Sequence, residues 1–310
     1  MSFRFKYEEK GVALITVMLI LALATILAVS MSSRQQLDIH RSANVFNFEQ
    51  AYQYVLGAES WGKQILIRDS KDNKTDSFND DWAMVLPALP IEGGKMTGQI
   101  EDLQARFNIN NLVLDGKPQK LYVERFKRLL RNLELNEDFS SVIIDWLDSN
   151  EEIGFSGAED NEYLNLSPAY RAANQPMQDV SELLLVKGID FETYEKLRPY
   201  VCVLESGTEI NINTASAEIL SSIVKDLTIE EAKSLIEDRD KEVYKDVAGF
   251  LEHPLLKLKK VKKDGLSVST QYFQLNSTAQ IERINVEYTT ILHRESEGRV
   301  GILKRNRGVM

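Results

Sequence analysis

The twenty residues from Val12 to Met31 carry no charge, and only Thr16, Thr25 and Ser30 among them are polar. A helix rises about 1.5 Å per residue, so a run of this length matches a hydrocarbon layer about 30 Å thick. Beyond it, from Arg34 to about Arg68, there is no proline, Gly57 and Gly62 stand alone, and Leu37, Phe48, Ala51, Val55, Ala58 and Ile65 are apolar, the later ones in steps of three and four. That is the period of a helix with one buried stripe. The pattern predicts one helix over 12–68, about 80 Å long, with 12–31 in lipid and the remainder packed on a soluble domain. A membrane helix followed by an unrelated amphipathic helix satisfies the same pattern.

Asp69 to Asp81 is polar and reads as a surface loop. Leu103, Ala105, Phe107 and Ile109 then alternate with polar residues, which predicts a half-buried strand. Alternation returns at Phe273, Leu275, Ser277, Ala279 and Ile281, and again at Ile284, Val286, Tyr288 and Leu292. A tight turn at Glu282-Arg283 would join these two strands, and Gly298 to Leu303 would add a third. Between the β regions the chain reads as helices joined by polar loops. The expected class is α+β: a long N-terminal helix on a small antiparallel sheet, interrupted by a large all-α insertion. The boundaries are 1–11 ahead of the helix, 12–68 for the helix, 69–111 for the first β part, 112–252 for the insertion and 253–310 for the C-terminal strands.

Composition narrows the function. Acidic residues exceed basic ones, 47 against 37, for a formal charge of −10, which disfavours a basic nucleic-acid binder. Cys202 is the sole cysteine and His40, His253 and His293 the only histidines, too few for an intrachain disulfide or a thiolate- or histidine-rich metal centre. There is no G-x-S-x-G, no H-E-x-x-H and no phosphate-binding glycine loop, so an enzyme has little support. Cys202, in Tyr-Val-Cys-Val-Leu, reads as a buried small apolar residue.

Arg4, Lys6 and Lys10 precede the apolar run and favour a cytoplasmic N-terminus, with the bulk of the chain outside. A plain signal anchor and a secretory signal cleaved near Ala28-Val29-Ser30 are two readings of the segment, though the run exceeds the usual signal core. A third rests on Gly11-Val12-Ala13-Leu14, which resembles the site of the type IV prepilin peptidase. That enzyme would cut between Gly11 and Val12 and leave the apolar helix on the mature chain.

Glu134 to Tyr170 holds ten carboxylates and no Lys or Arg. Asp148, Asn150, Glu152 and Glu159 fall at relative positions 1, 3, 5 and 12, the spacing at which an EF-hand loop presents oxygen to Ca²⁺. Position 6 is Ile153, with Gly154 one place late, so an orthodox EF-hand is not expected. Hard oxygen donors without His or Cys favour Ca²⁺ over zinc or copper. A solvated acidic face is the plainer alternative.

Val186-Lys187-Gly188-Ile189-Asp190 and the segment from Glu209 to Leu251 resemble helix-hairpin-helix modules, which in other proteins offer backbone N–H groups to DNA phosphate. A membrane-anchored DNA receptor is the alternative function. From Val180 to Glu252, however, sixteen acids face eight bases, and affinity for DNA follows cationic phosphate contacts; helical pairs used as packing scaffold are favoured.

Several motifs together carry a resemblance over nearly the whole chain. They are the prepilin-like start, Asp145-Trp146-Leu147-Asp148, Gly157-Ala158-Glu159-Asp160 with Tyr163, Tyr170-Arg171-Ala172-Ala173-Asn174-Gln175-Pro176, Ser181-Glu182-Leu183, and Asn211-Ile212-Asn213-Thr214-Ala215. In this order they resemble the general secretion pathway protein K family, minor pseudopilins of bacterial type II secretion. The resemblance implies a pilin-like fold with a helix-hairpin-helix/SAM-like insertion, prepilin peptidase cleavage, N-methylation and an inner-membrane anchor with a periplasmic soluble domain. It implies no enzymatic activity, a place at the pseudopilus tip with minor pseudopilins I and J, and calcium in the insertion. Matching residue by residue puts forward Asp148, Glu159 and Asp160 as ligands; Asn150 stands where an aspartate is expected. Thr16, fifth from Val12, stands where most pilin-like subunits have glutamate; a tip subunit needs no such carboxylate, while an ordinary membrane-helix threonine would simply bond its own backbone.

Overall fold

Helix α1 runs unbroken from Lys10 to Asp72, 63 residues, in a computed structural model that describes residues 10–308 apart from Leu86 and Lys260. At about 1.5 Å per residue it is about 95 Å long, and it continues four residues past Arg68 into the stretch that sequence assigns to a loop. From Gly11 to Phe46 every residue is exposed. From there Ala51, Val55, Ala58, Gly62 and Leu66 turn a buried stripe onto the sheet. The steps of four, three, four and four are those of one helix face.

The sheet has five antiparallel strands in sequential order: β1 (Leu89–Ile91), β2 (Gly94–Asp102), β3 (Tyr272–Ile281), β4 (Ile284–Arg294) and β5 (Val300–Arg307). β3 and β4 are joined at Glu282-Arg283, with Ile281 opposite Ile284 and Glu282 at φ 48°. The period-two pattern of β3 sends Phe273, Leu275, Ala279 and Ile281 into α1. The third C-terminal strand exists and extends to Arg307, with an irregularity where Leu292 meets Ile302.

The strand expected over 103–109 is not formed. Leu103–Ala105 and Ile109–Leu112 are 3₁₀ turns, and only Phe107–Asn108 is extended, pairing in parallel with Val201–Cys202. Asp102 and Asn108 each accept a hydrogen bond from the backbone N–H two residues on, Gln104 at 2.7 Å and Asn110 at 3.2 Å. These local turns bend the chain every few residues while keeping alternate apolar side chains inward. The real first long strand lies earlier, at 94–102, where Gly94 lets the chain approach β3: a Cβ there would lie 1.8 Å from the Gln280 carbonyl oxygen.

Between β2 and β3 the insertion folds around its own core. α2 (Lys120–Asn132), α3 (Phe139–Leu147), α4 (Asp160–Tyr163), α5 (Phe191–Leu197), α6 (Ala217–Ile223), α7 (Ile229–Lys241) and α8 (Val247–Leu251) supply it. Phe107, Phe126, Trp146, Tyr163, Leu220 and Phe250 are among its buried residues. Caps set the helix starts: Asp190, Ser216, Thr228 and Asp246 each accept a backbone N–H at a helix N-terminus. Short two-residue pairings, including Ile210–Asn211 with Leu266–Ser267, stitch the insertion to the chain before β3.

Candidate functional site

Trp146, Tyr163 and Tyr170 stack edge to face and tilted at 5.1 to 6.3 Å, a floor beneath the acidic segment. α3 buries Ile143, Trp146 and Leu147, and its phase leaves Asp145 and Asp148 one turn apart at the helix end. Asp148 closes the helix, its N–H donating to the Ile144 carbonyl at 2.9 Å. The chain then loops without regular structure and returns at Glu159, the residue before α4.

The loop is pinned to Asp145. Gly154 N–H donates to Asp145 Oδ2 at 3.0 Å, and a Cβ on Gly157 would lie 1.8 Å from the same oxygen. Only glycine at 157 lets the backbone pass so close. Asn150 N–H donates to Asp148 Oδ1 at 3.2 Å, and Glu152 N–H donates to Asn150 Oδ1 at 2.7 Å. Asp160 accepts from Ala172 N–H at 3.0 Å and lies 3.4 Å from the Arg171 guanidinium.

Glu159 differs from all of these. It is 3% exposed, and both carboxylate oxygens are buried without a hydrogen-bond partner. Burial pushes its carboxyl up to about 7, and the charges of Asp145, Asp148, Asp160 and Glu151 push the same way. Burial also raises Asp145 and Asp148. A carboxylate enclosed by carboxylates either holds a proton or calls for a cation. The donors are all hard oxygen, the set that suits Ca²⁺. Among the described residues no three carboxylates already stand as a closed coordination sphere.

Of the five sequence candidates, the fold buries Asp148 and Glu159 beside half-buried Asp160, and leaves Asn150 and Glu152 exposed on the loop. Sequence reasoning missed Asp145. The signal for Asp145 was its place three residues before Asp148 on one helix face, with two glycines following at 154 and 157.

At the other end of the chain, Gly11 and Val12 are exposed in the first turn of α1; residues 1–9 of the expected leader lie outside the described residues. The Thr16 hydroxyl donates to the Ala13 carbonyl at 2.9 Å. The apolar part of α1 has a mean hydropathy of 2.9 over its best eighteen residues and none of that window is buried, which is consistent with a single membrane anchor.

The hairpins offer little to DNA. Lys187 N–H donates to the Tyr163 hydroxyl, its ammonium pairs with Glu162 at 2.8 Å, and Ile189 N–H is taken by the Val186 carbonyl. Gly188 does adopt φ 82°, and Asp226 takes the corresponding place in the second hairpin at φ 60°. Near that second hairpin Lys259 binds the Asp226 carbonyl and Glu231. Several of the donors a phosphate would need are thus used internally.

Residues 105–206 and 210–269 match two segments of the family described as type II secretion system (T2SS), protein K. The type II secretion system protein K of Pseudomonas aeruginosa is 33% identical, over 97% of this chain and 93% of the relative. That of Klebsiella pneumoniae is 32% identical over 98% of each. A crystal structure of the GspK-GspI-GspJ complex from enterotoxigenic Escherichia coli contains a chain that superposes with a TM-score of 0.77 at 29% identity, covering 87% of this chain and all of that one.

Proposed function

Because this chain belongs to the type II secretion system protein K family, we propose that it acts as a minor pseudopilin in a complex with minor pseudopilins I and J, as its structural relative does. The observation that carries this reading is α1. One continuous helix has a fully exposed apolar half and a second half packed on a sheet. It can therefore transmit position rigidly from a bilayer to a soluble domain.

Prepilin peptidase would remove the leader after Gly11, the new N-terminus at Val12 would be methylated, and the soluble domain would stand in the periplasm. The role is structural, supporting export of folded proteins across the outer membrane. The insertion has the bulk of a domain, which is hard to repeat along a closely packed shaft and easy to place at its end. A single copy at the pseudopilus tip follows. Thr16, whose hydroxyl is satisfied by its own helix, makes no demand on a subunit above.

Calcium would be held by Asp148, Glu159 and Asp160 with Asp145, and the loop oxygens of Asn150 and Glu152 lie in the same segment. The ion would supply the positive charge that this buried carboxylate group lacks. The chain's own residues set the stage: Gly157 gives Asp145 room, Asp160 anchors to Ala172 and Arg171, and the aromatic floor excludes water from one side.

Intact mass and N-terminal sequencing of protein recovered from membranes test the anchor: a start at Val12, lost in Gly11→Arg, supports the reading, whereas a start near Ser30 overturns it. Quantitative mass spectrometry of sheared filaments tests the tip: stoichiometric incorporation along the shaft would reject it.

A further inference from the structure

Lys257-Leu258-Lys259-Lys260-Val261-Lys262-Lys263 sets five lysines and no acid in seven residues of a chain whose net charge is −10. The segment lies between α8 and the pairing of Ile210–Asn211 with Leu266–Ser267. Lys259 is used internally: its ammonium binds the Asp226 carbonyl and Glu231, which holds the segment against the turn between α6 and α7. Lys257, Lys262 and Lys263 are exposed, and among the described residues none of the three makes an ion pair. In their midst Leu258 is 90% exposed, a value matched among the described large apolar residues only by Phe155.

A second cation lies beneath these lysines. Arg125 of α2 is fully buried, and its Nη2 donates to the Lys262 carbonyl at 3.3 Å, while Nε and Nη1 have no hydrogen-bond partner. Among the described residues no carboxylate pairs with it. A buried charge without compensation is felt at the surface above it, because the protein between them screens less than water does. Lys127 and Arg128 of α2 and the exposed Lys225 line the cleft beside the turn that Lys259 binds. Glu124 and Asp226 share that cleft, so the positive excess is greatest along 257–263.

The topology sets the direction in which this surface points. The insertion joins the sheet where Asp102 of β2 faces Phe273 of β3, the same end at which the last turn of α1 is tied to Arg294 through Asp69. The opposite end of the sheet, where Gly94 faces Ile281, is the one beside Asn47, nearer the apolar half of α1. From Met31 to Asp72 the helix rises about 60 Å. The lysine segment therefore stands far from the bilayer that would hold α1, on the part of the molecule that leads away from it.

We propose that the segment 257–263 is a contact site for the anionic phospholipid headgroups of a second bilayer, with Lys257, Lys262 and Lys263 among the phosphates and Leu258 dipped into the headgroup boundary. The inference rests on the function proposed above, which makes that bilayer the periplasmic leaflet of the outer membrane. Side-chain chemistry chooses the occupant. Lysine is a compact, hydrated point charge on a flexible stem, suited to mobile headgroups and depleted at shaped protein interfaces, where arginine and aromatic residues are enriched. The segment has neither arginine nor aromatic residue. A nucleic acid would call for aromatic residues on which bases stack. An aliphatic side chain standing in water among lysines suits a bilayer surface, where apolar insertion and charge attraction add.

The test is co-sedimentation of the full chain, its α1 anchor held in phosphatidylcholine nanodiscs, with added vesicles of phosphatidylcholine alone or mixed with phosphatidylglycerol. The chain should sediment with the anionic vesicles and not the neutral ones, and added salt should weaken the association. Each lysine removed should weaken it by about fivefold, so the combined Lys257→Gln, Lys262→Gln and Lys263→Gln variant should lose about a hundredfold. Leu258→Ser should lose about tenfold or more. Lys71→Gln, Lys74→Gln and Lys95→Gln together change the net charge equally and should leave binding within about twofold. Melting should be unchanged in all of these, since the substituted side chains are exposed. Equal sedimentation with both kinds of vesicle, undiminished binding in the 257–263 variant, or retention on a polyglutamate column without vesicle binding, which would make the partner an acidic protein, would each overturn the assignment. Failure of the wild type to co-purify with minor pseudopilins I and J would instead overturn the function on which it rests, a readout separate from the vesicles.

Discussion

Arg294 on β4 places its guanidinium 2.5 Å from Asp76 and 2.8 Å from Asp69, joining the end of α1 and the loop after it to the sheet. It also donates to the Thr270 carbonyl at 2.8 Å and lies over the Phe273 ring at 4.9 Å. Asp76 extends the joint: its carboxylate accepts from Thr270 N–H and its carbonyl from the Asn211 side chain. Long helix, sheet and insertion thus meet at one buried cluster of an arginine and two aspartates.

Removing one partner of a buried pair leaves the other charge without compensation, at a cost of about 3–5 kcal/mol. Arg294→Ala should lower the unfolding free energy of the soluble region by that order in urea titration. Arg294→Lys, which keeps the charge but not the fork, should lose less.

Asp102 lies beside this joint and, among the described residues, pairs with no cation. Its Oδ2 accepts from Asn211 at 2.9 Å and from Thr214 and Thr270 hydroxyls at 2.6 Å each. Burial pushes its carboxyl up to about 6 from an ordinary 3.8. The folded state therefore binds a proton more tightly than the unfolded chain across that window, so this group's contribution to stability falls as pH rises from about 4 to about 6 and stays low above it. Asp102→Asn should flatten the stability profile between those values, measured by denaturant midpoints at a series of pH values.

A ligand that binds only the folded state adds RT ln(1 + [L]/Kd), about 2.7 kcal/mol at one hundred times Kd. Calcium at that excess should raise the melting temperature of the wild type, and chelation should reverse it. Glu159→Gln, which removes the unpartnered buried charge, should abolish the shift and raise the melting temperature of chelated protein. An equal calcium response in both proteins would count against Glu159 as a ligand.

Gly157→Ala puts a methyl group into Asp145 Oδ2. Overpacking of this kind costs about 1–3 kcal/mol, and here it displaces a carboxylate of the proposed site. The variant should melt lower than wild type with chelator present and show a weakened calcium response by titration calorimetry.

Periodicity made α1 and the C-terminal hairpin legible, because helix and strand phase are properties of neighbouring residues. Ala51, Val55 and Ala58 announce a helix face whatever they pack against, and Phe273 to Ile281 announces a strand. Alternation at Leu103 to Ile109 misled, since the side chains of Asp102 and Asn108 bend the backbone into 3₁₀ turns while preserving inward and outward order. The acidic segment was visible as a density of charge and its spacing named Asp148 and Glu159. Which carboxylates share a buried space was settled by the path of the loop over Trp146 and Tyr163, which turns Asp145 inward and leaves Glu152 in water. The bond between Arg294 and Asp76 joins residues 218 positions apart, and the depth to which the stripe of α1 is buried is set by the sheet that covers it. Local patterns depend on bond geometry and solvent preference along the chain; ion pairs, enclosed charge and unpartnered surfaces depend on which distant segments exclude water from each other.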